Sequence, residues 1–198
     1  YGGSYWNPEC GKQLRRATKF AMNNDQIYII NHNYASWMKI DVLSLDGKCI
    51  RQSQAIYYPN SRTPYSSIAV TDKYIYLGIG NCWYYCYMPY ERSGSITILR
   101  RSDFGFVKRI TGGQGSYYNH NLWGDTTDIA INDAGTKMLV ASKGASSVCL
   151  HNITSAGSNI SGSCTKVGGR PNGRPNQNYD RTWWKSWDYG GSYPDWHY

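Results

Sequence analysis

Short runs of alternating apolar and polar residues recur along residues 19–168, separated by turns rich in Asn, Asp and Gly. Alternation of this kind is typical of a β-strand that buries one face, and Asp-Gly between two such runs is a strong hairpin signal. The first group of runs contains that dipeptide at Asp46-Gly47. It predicts a four-stranded antiparallel unit over about residues 19–60, with strands at 19–22, 26–31, 38–45 and 49–57.

The same order of strands and turns returns twice. A second unit over about residues 65–112 has predicted strands at 65–70, 74–79, 94–100 and 106–110, and a third over about residues 126–168 has them at 127–131, 137–142, 146–153 and 163–167. Residues 1–18 show no clear periodicity, and residues 169–198 are rich in Arg, Trp and Tyr with too few aliphatic residues for a core. The pattern predicts an all-β chain of three four-stranded antiparallel units between aromatic-rich terminal arms.

One hairpin carries a resemblance to a known repeat family. The segment Asp128-Ile-Ala-Ile-Asn-Asp-Ala-Gly-Thr-Lys-Met-Leu-Val-Ala-Ser resembles the first hairpin of a β-propeller blade of the broad WD, NHL and YVTN kind, and Ser67-Ile-Ala-Val-Thr-Asp-Lys-Tyr-Ile-Tyr-Leu matches it almost position for position. The resemblance covers about residues 19–168 and implies a propeller-like arrangement of three blades. A β-sandwich is the alternative, because the same pattern occurs there.

Closed propellers have about four to eight blades, so three blades leave sheet faces and edges exposed. A homodimer that pairs three blades with three would close a ring. Completion of a fourth blade by the N-terminal arm and residues 176–198 is the other solution. We favour the first, and therefore expect a homo-oligomer.

Composition narrows the function classes. The chain has 19 Tyr and 8 Trp but only 17% charged residues, which suits strands and contact surfaces better than helices. Its formal net charge of +8 is spread along the chain and fits anionic glycans or an acidic matrix. No nucleic-acid-binding motif is present, so a nucleic-acid partner is not expected. No apolar run is long enough for a membrane span.

Six cysteines without metal-ligand spacing predict three disulfides and an oxidising compartment. Fifteen pairings are possible. Near-neighbour closure favours Cys10–Cys49, Cys82–Cys86 and Cys149–Cys164.

Two glycosylation sequons, Asn152-Ile-Thr and Asn159-Ile-Ser, fall in one predicted solvent-facing loop between Cys149 and Cys164. A chain that opens on Tyr1 is expected of a processed mature form. Together with the cysteines, these features predict a secreted, extracellular glycoprotein.

Aromatic residues cluster in the loop of the second unit, where a Cys82–Cys86 bridge would hold Trp83, Tyr84 and Tyr85 in an exposed pose. Fixed aromatic side chains lose little entropy on binding and stack well on sugar rings. The alternative is a loop that folds back over a hydrophobic edge.

The C-terminal arm combines aromatic and cationic side chains in the same way. Rings interleaved with cations can stack on a ligand while neutralising its anions. The candidate ligand-binding residues here are Arg181, Trp183, Trp184 and Trp187. A lid between blades or a dimer seam is the alternative.

Catalytic and metal-binding signals are weak. Asn31-His32-Asn33 and Asn119-His120-Asn121, followed by Asp125, could hold Ca²⁺ in the channel, a site that the resemblance to lactonase-like propellers would imply. These loops are poor in the carboxylates that hard cations prefer, and polar turn residues are the alternative, so we expect no metal and no cofactor. A metal-dependent propeller hydrolase is the minor alternative to a protein without enzymatic activity.

The sequence thus predicts a secreted binding protein that recognises glycan or extracellular matrix through exposed aromatic loops and a basic surface. The alternative is a structural or adhesive subunit that self-assembles through its Tyr- and Trp-rich arms.

Overall fold

The computed structural model describes residues 5–7, 12–14, 17–33, 37–58, 65–79, 95–111, 126–142, 147–161 and 165–169. The strands in these ranges are β1 (Tyr5–Asn7), β2 (Lys12–Leu14), β3 (Ala17–Asn23), β4 (Gln26–Asn33), β5 (Trp37–Ser44), β6 (Cys49–Gln52), β7 (Ile56–Tyr57), β8 (Tyr65–Val70), β9 (Tyr74–Ile79), β10 (Ser95–Arg100), β11 (Phe106–Thr111), β12 (Thr126–Ile131), β13 (Lys137–Ser142), β14 (Ser147–Thr154), β15 (Asn159–Ile160) and β16 (Thr165–Gly169).

The strands form three main antiparallel sheets. Sheet I has the order β3-β4-β5-β6, with β7 also paired to β5; sheet II has the order β8-β9-β10-β11; sheet III has the order β12-β13-β14, with β15 and β16 both paired to β14. The prediction of an all-β chain with three antiparallel units is confirmed. Tight turns set the hairpins, and Gly47 adopts the positive φ of 84° that the Asp-Gly turn requires.

Two local expectations differ from the structure. Residues 5–7 and 12–14 pair as a small two-stranded sheet, although no regular structure was expected in the N-terminal arm. The expected loop between Cys149 and Cys164 contains the end of β14, a 3-10 turn at Ser155–Gly157 and β15. The added strand forms because Ile160 pairs with Ile153 and becomes buried.

Sheet II lies between the other two sheets. On β9, the odd-numbered Ile75 and Leu77 pack with sheet I, whereas the even-numbered Tyr76 packs with sheet III. We call the face of a sheet that points toward the preceding sheet its upstream face, and the opposite one its downstream face. Because side chains alternate across a strand, sheet II buries both faces, and its strands lack the apolar–polar alternation of a half-exposed sheet.

The first strands of the three sheets converge. Strand β8 contacts both β3 and β12. An ion pair joins β3 to β12 directly, with 3.8 Å between Lys19 Nζ and Asp128 Oδ2. The sheets therefore meet along their first strands.

Polar side chains fasten the sheets to one another. Arg51 of sheet I donates to the carbonyl oxygens of Arg101 and Ser102 in the β10–β11 turn, and its guanidinium lies 4.6 Å from the ring centroid of Phe104. Arg101 in turn donates to the Tyr28 hydroxyl and lies over its ring. Sheet II is tied to sheet III by the Tyr76 hydroxyl, which donates to the Gly157 carbonyl at 2.7 Å.

Cys49 and Cys149, the cysteines within the described ranges, are both disulfide-bonded. Their partners lie outside those ranges, so the three predicted pairings stay predictions. In the part of the chain described here, no helix is long and apolar enough to cross a membrane.

Candidate functional site: a cleft between three equivalent turns

The first hairpin of each sheet ends in a tight turn. In sheet II, the Thr71 hydroxyl accepts a hydrogen bond from the Tyr74 backbone N–H at 3.2 Å. In sheet III, the Asn132 side chain accepts bonds from the backbone N–H groups of Thr136 and Lys137, and Gly135 has φ of 65°. Asn and Thr are suited to such turns because their short side chains bond nearby backbone groups.

These turns surround a cleft of about 460 Å³. Its lining residues come from the three turns and from the 3-10 turn of sheet III. Met22, Val70 and Ile131 contribute its apolar part, and each ends or nearly ends the first strand of its sheet. The convergence of the first strands therefore creates an apolar surface from three equivalent positions.

The rim of the cleft is polar and exposed. It carries an amide, two carboxylates and an ammonium group, which come from Asn24, from Asp72 and Asp133, and from Lys73. The Asn23 amide donates to Asp72 at 3.3 Å, and this bond joins the turns of sheets I and II. The rim thus offers both donors and acceptors to a bound molecule.

One side of the cleft depends on a glycine. Gly157 has φ of 102°, and a Cβ there would lie 2.7 Å from Cδ2 of Tyr74. Its carbonyl is held by the Tyr76 hydroxyl. Burial raises the pKa of Tyr76 to about 12, so this phenol stays protonated at neutral pH and continues to donate. The cleft therefore has a fixed wall on the sheet III side.

A cleft lined by a few apolar side chains and several polar ones suits a small hydroxyl-rich ligand that has one apolar face. Within the described ranges, no group of three or more His, Cys, Asp or Glu side chains could hold a metal ion. The carboxylates of Asp72 and Asp133 on the rim can accept hydrogen bonds from ligand hydroxyls.

The predicted aromatic ligand-binding residues lie outside the described residues: Trp83, Tyr84, Tyr85, Arg181, Trp183, Trp184 and Trp187.

The residues considered for Ca²⁺ divide in the same way. Asn31 donates to Asp41 at 2.9 Å, and His32 is hydrogen-bonded to the Tyr58 hydroxyl. Both side chains thus have structural partners within sheet I and its following segment. Asn119, His120, Asn121 and Asp125 lie outside the described residues.

The basic residues near the end of sheet II have partners as well. Arg100 forms a bidentate contact with Asp103. Lys108 donates to Asn159 at 3.1 Å, and Arg109 donates to Thr97 at 3.3 Å. Much of this local charge therefore stabilises turns and sheet contacts.

The two sequons have different environments. Asn152 lies in β14 and is exposed, with Lys137 donating to its amide oxygen. Asn159 lies in β15, is half-buried, and accepts from Lys108 across the contact between sheets II and III. The expectation that both occupy one solvent-facing loop is wrong, because strand pairing orders this segment.

Sequence reasoning missed the cleft, although the chain carries a signal for it. An apolar residue followed by Asn or Thr recurs at Met22-Asn23, Val70-Thr71 and Ile131-Asn132, at the same point of each first hairpin. Such repetition indicates equivalent turns, and equivalent turns of stacked sheets lie on the same side.

No protein-family model and no curated protein matches the chain. Among solved structures, it is similar to Kuenenia stuttgartiensis hydrazine synthase, with 14% identity over 67% of this chain and 39% of that chain and a TM-score of 0.46. It is also similar to a eukaryotic initiation factor, with 11% identity over 79% and 34% of the two chains and a TM-score of 0.44.

A third similar structure is a chimera of ACO and RPE65, with 14% identity over 71% of this chain and 34% of that chain and a TM-score of 0.45. The chain thus spans about a third to two fifths of the length of these proteins. At these TM-scores the likeness is partial and defines neither a family nor a function. The class that the fold itself defines is an all-β protein of three stacked antiparallel sheets.

Proposed function

We propose that this chain is an extracellular, non-enzymatic binding protein that recognises a glycan or a matrix polymer. The observation that carries the proposal is the cleft, which three equivalent turns line with both apolar and polar side chains. A sugar residue has the matching chemistry, because its ring presents an apolar face and its edge presents hydroxyls. The aromatic segments that the sequence predicts to be exposed, together with the basic residues, would extend the contact along a longer or acidic chain.

The propeller arrangement belongs to this proposal. Three observations support it: the four-stranded antiparallel sheets, their convergence along β3, β8 and β12, and the packing of each downstream face on the next upstream face. In a propeller, equivalent turns lie on one side of the ring, which would place the cleft at the mouth of the central channel.

Secretion is supported by chemistry at two places. Disulfide-bonded Cys49 and Cys149 fit an oxidising compartment. Asn152 is exposed within a complete glycosylation sequon. These features favour an extracellular ligand over nucleic acid as the partner.

A glycan array followed by calorimetry with the best oligosaccharide tests the proposal. We expect Lys73→Ala, at the cleft rim, to weaken binding by about tenfold, as expected for a lost charge-assisted hydrogen bond. Lys48→Ala is the matched control, because Lys48 is also an exposed turn lysine but lies in the β5–β6 turn. An array without hits would overturn the glycan ligand, and equal losses in both variants would remove the cleft from the site.

The aromatic loops have a separate test. Trp83→Ala and Trp183→Ala are each expected to reduce binding of the same oligosaccharide. Unchanged affinity in both would restrict the binding surface to the cleft and contradict the role proposed for the loops.

A self-assembling structural subunit is the second candidate function. It is favoured by the Tyr- and Trp-rich composition of residues 169–198, because such side chains suit contact surfaces. Concentration-dependent polymerisation that disappears on removal of residues 176–198 would support assembly through the arm. Polymerisation that persists without those residues would contradict it.

A further inference from the structure

The three sheets repeat one contact, and the repetition can be followed residue by residue. In the first hairpins, Phe20 pairs with Ile29, Ile68 with Leu77, and Ile129 with Val140, at equal distances from the turn. Phe20, Ile68 and Ile129 are therefore equivalent upstream positions. By the same register, Tyr28, Tyr76 and Leu139 are equivalent downstream positions.

Exposure at these positions depends on whether a neighbouring sheet is present. Ile68 and Ile129, which face a preceding sheet, are 4% and 6% exposed, whereas Phe20 is 66% exposed. Tyr28 and Tyr76, which face a following sheet, are fully buried, whereas Leu139 is 36% exposed. Within the described residues, the stack therefore leaves exposed the two halves of a contact that it forms twice internally.

The surrounding residues keep the character of the internal contact. Met22, Ile27 and Ile29 lie beside Phe20 on the upstream face of sheet I. Ala130 and Leu150 lie beside Leu139 on the downstream face of sheet III. Alanine occupies the same position in all three sheets, as Ala21 in sheet I, Ala69 in sheet II and Ala130 in sheet III. On the upstream face of sheet I, the matching apolar part is confined to β3 and β4 near the first turn, because Asp41 lies opposite Ile29 on the same face and accepts hydrogen bonds from Asn31 and Gln52.

We propose that the upstream face of sheet I binds the downstream face of sheet III of a second copy of this chain. The reciprocal contact between the same two copies forms a ring of six sheets with two-fold symmetry. This surface goes beyond the proposed ligand-binding function and does not depend on the identity of the ligand.

The positions of the two terminal faces favour a second copy of this chain as the partner. They lie at opposite ends of the stack, with sheet II between them. A head-to-tail contact of unlike faces satisfies both at once when two copies close, and it buries apolar area at two seams. A contact of like faces would leave the other face of each copy exposed.

Sedimentation velocity of the intact chain over about 1–100 µM, the range in which moderate interfaces dissociate, is the first test. We expect a reversible dimer. Phe20→Glu and Leu139→Glu each place a carboxylate on one terminal face and should raise the dimer Kd by at least about 30-fold, the effect of losing a central contact. Both residues are partly or largely exposed, so the variants should fold, which thermal melting verifies.

Phe106→Glu is the matched control. Phe106 is 60% exposed but lies on β11, the outer strand of sheet II, and so belongs to neither terminal face. This variant should dimerise as the unmodified chain does. A monomer at all concentrations, equal losses in the control, or dimerisation unaffected by Phe20→Glu would each overturn the proposal.

Mixing the two face variants separates unlike-face from like-face contact. The Phe20→Glu chain keeps an intact downstream face, and the Leu139→Glu chain keeps an intact upstream face. The mixture should therefore form a weak one-seam heterodimer that neither variant forms alone. Failure of the mixture to associate contradicts the contact, and polymers instead of dimers contradict ring closure. Neither Phe20 nor Leu139 lines the cleft, so glycan binding measured on the two monomeric variants tests the binding proposal separately from the dimer.

Discussion

At the scale of single residues, Tyr76 connects packing with the cleft. Its ring is fully buried on the downstream face of sheet II, and its hydroxyl holds the Gly157 carbonyl. Burial is the first cause of its raised pKa. Ionisation of this phenol is unfavourable for two reasons. The phenolate would be buried away from water, and it could no longer donate to the Gly157 carbonyl.

This raised pKa predicts a loss of stability at high pH. The folded protein binds the phenolic proton up to about pH 12, whereas the unfolded chain releases it near pH 10. The stabilisation is therefore complete below pH 10 and is lost as the pH rises toward 12. We expect the free energy of unfolding to fall by about 1 kcal/mol between pH 10 and 11 from this group.

Urea unfolding of the unmodified chain and of Tyr76→Phe at pH 9, 10 and 11 measures this pH-dependent loss of stability. At pH 9 the variant should be less stable by about 1 kcal/mol, the contribution of one hydrogen bond. The difference should shrink at pH 11, because only the unmodified chain has a proton to lose at this position. A difference that stays constant with pH would contradict the prediction.

A second residue-scale prediction concerns the two sequons. A glycan on Asn159 would displace the bond from Lys108 and enter the contact between sheets II and III, whereas Asn152 is exposed. In chain secreted by cultured cells, we expect a glycan at Asn152 alone. Asn152→Gln should abolish the shift in mass on deglycosylation, and Asn159→Gln should leave it unchanged. The reverse pattern would show that the described contact does not form.

At the scale of elements, the turns illustrate what the sequence could predict. Asp46-Gly47 and the turn ending at Gly135 require backbone conformations with positive φ, which glycine adopts without strain. Because that requirement is local, both hairpins could be placed from the sequence. Strand ends also agree within a few residues, since short apolar or alternating runs between turn residues are a property of neighbouring positions.

Contacts between distant elements could not be predicted in this way. Nothing near Arg51 in the sequence indicates that it bonds the carbonyls of Arg101 and Ser102 in another sheet. The cleft was missed for the same reason, because its lining residues meet only after three hairpins stack. Its repeated signal at Met22, Val70 and Ile131 becomes meaningful once the register is known.

The Arg51 contact gives an element-scale prediction. Arg51→Met keeps much of the apolar stem but removes two bonds to carbonyls and the contact with Phe104. We expect a loss of about 1–3 kcal/mol in the free energy of unfolding. Chemical denaturation measures it.

Arg100→Met is the control for Arg51→Met. Arg100 is in the same region but pairs with Asp103 in solvent, where ion pairs contribute little. It should cost less stability than Arg51→Met, and an equal loss in the two variants would contradict the role assigned to Arg51.

At the scale of the whole molecule, the stack predicts an uneven distribution of local stability. Sheet II has both faces covered, whereas sheets I and III each have one exposed face. Backbone amides exchange with solvent through local opening, which is rarest where most apolar surface is buried. We expect the slowest hydrogen exchange in β9 and β10.

Mass-spectrometric hydrogen exchange at low micromolar concentration, where a moderate dimer dissociates, tests this expectation. Protection of β4 or β13 equal to that of β9 would contradict it. At higher concentration the proposed dimer would cover the terminal faces, and protection in β3, β4 and β13 should then increase.

The equivalence of the three sheets has a consequence for how such a chain can change. Each sheet offers its successor a surface of the same kind that it requires from its predecessor, as the positions of Phe20, Ile68 and Ile129 illustrate. Duplication or deletion of a gene segment encoding one whole sheet would therefore preserve every remaining junction. Variation in repeat number is the evolutionary route that this architecture leaves open at the lowest structural cost.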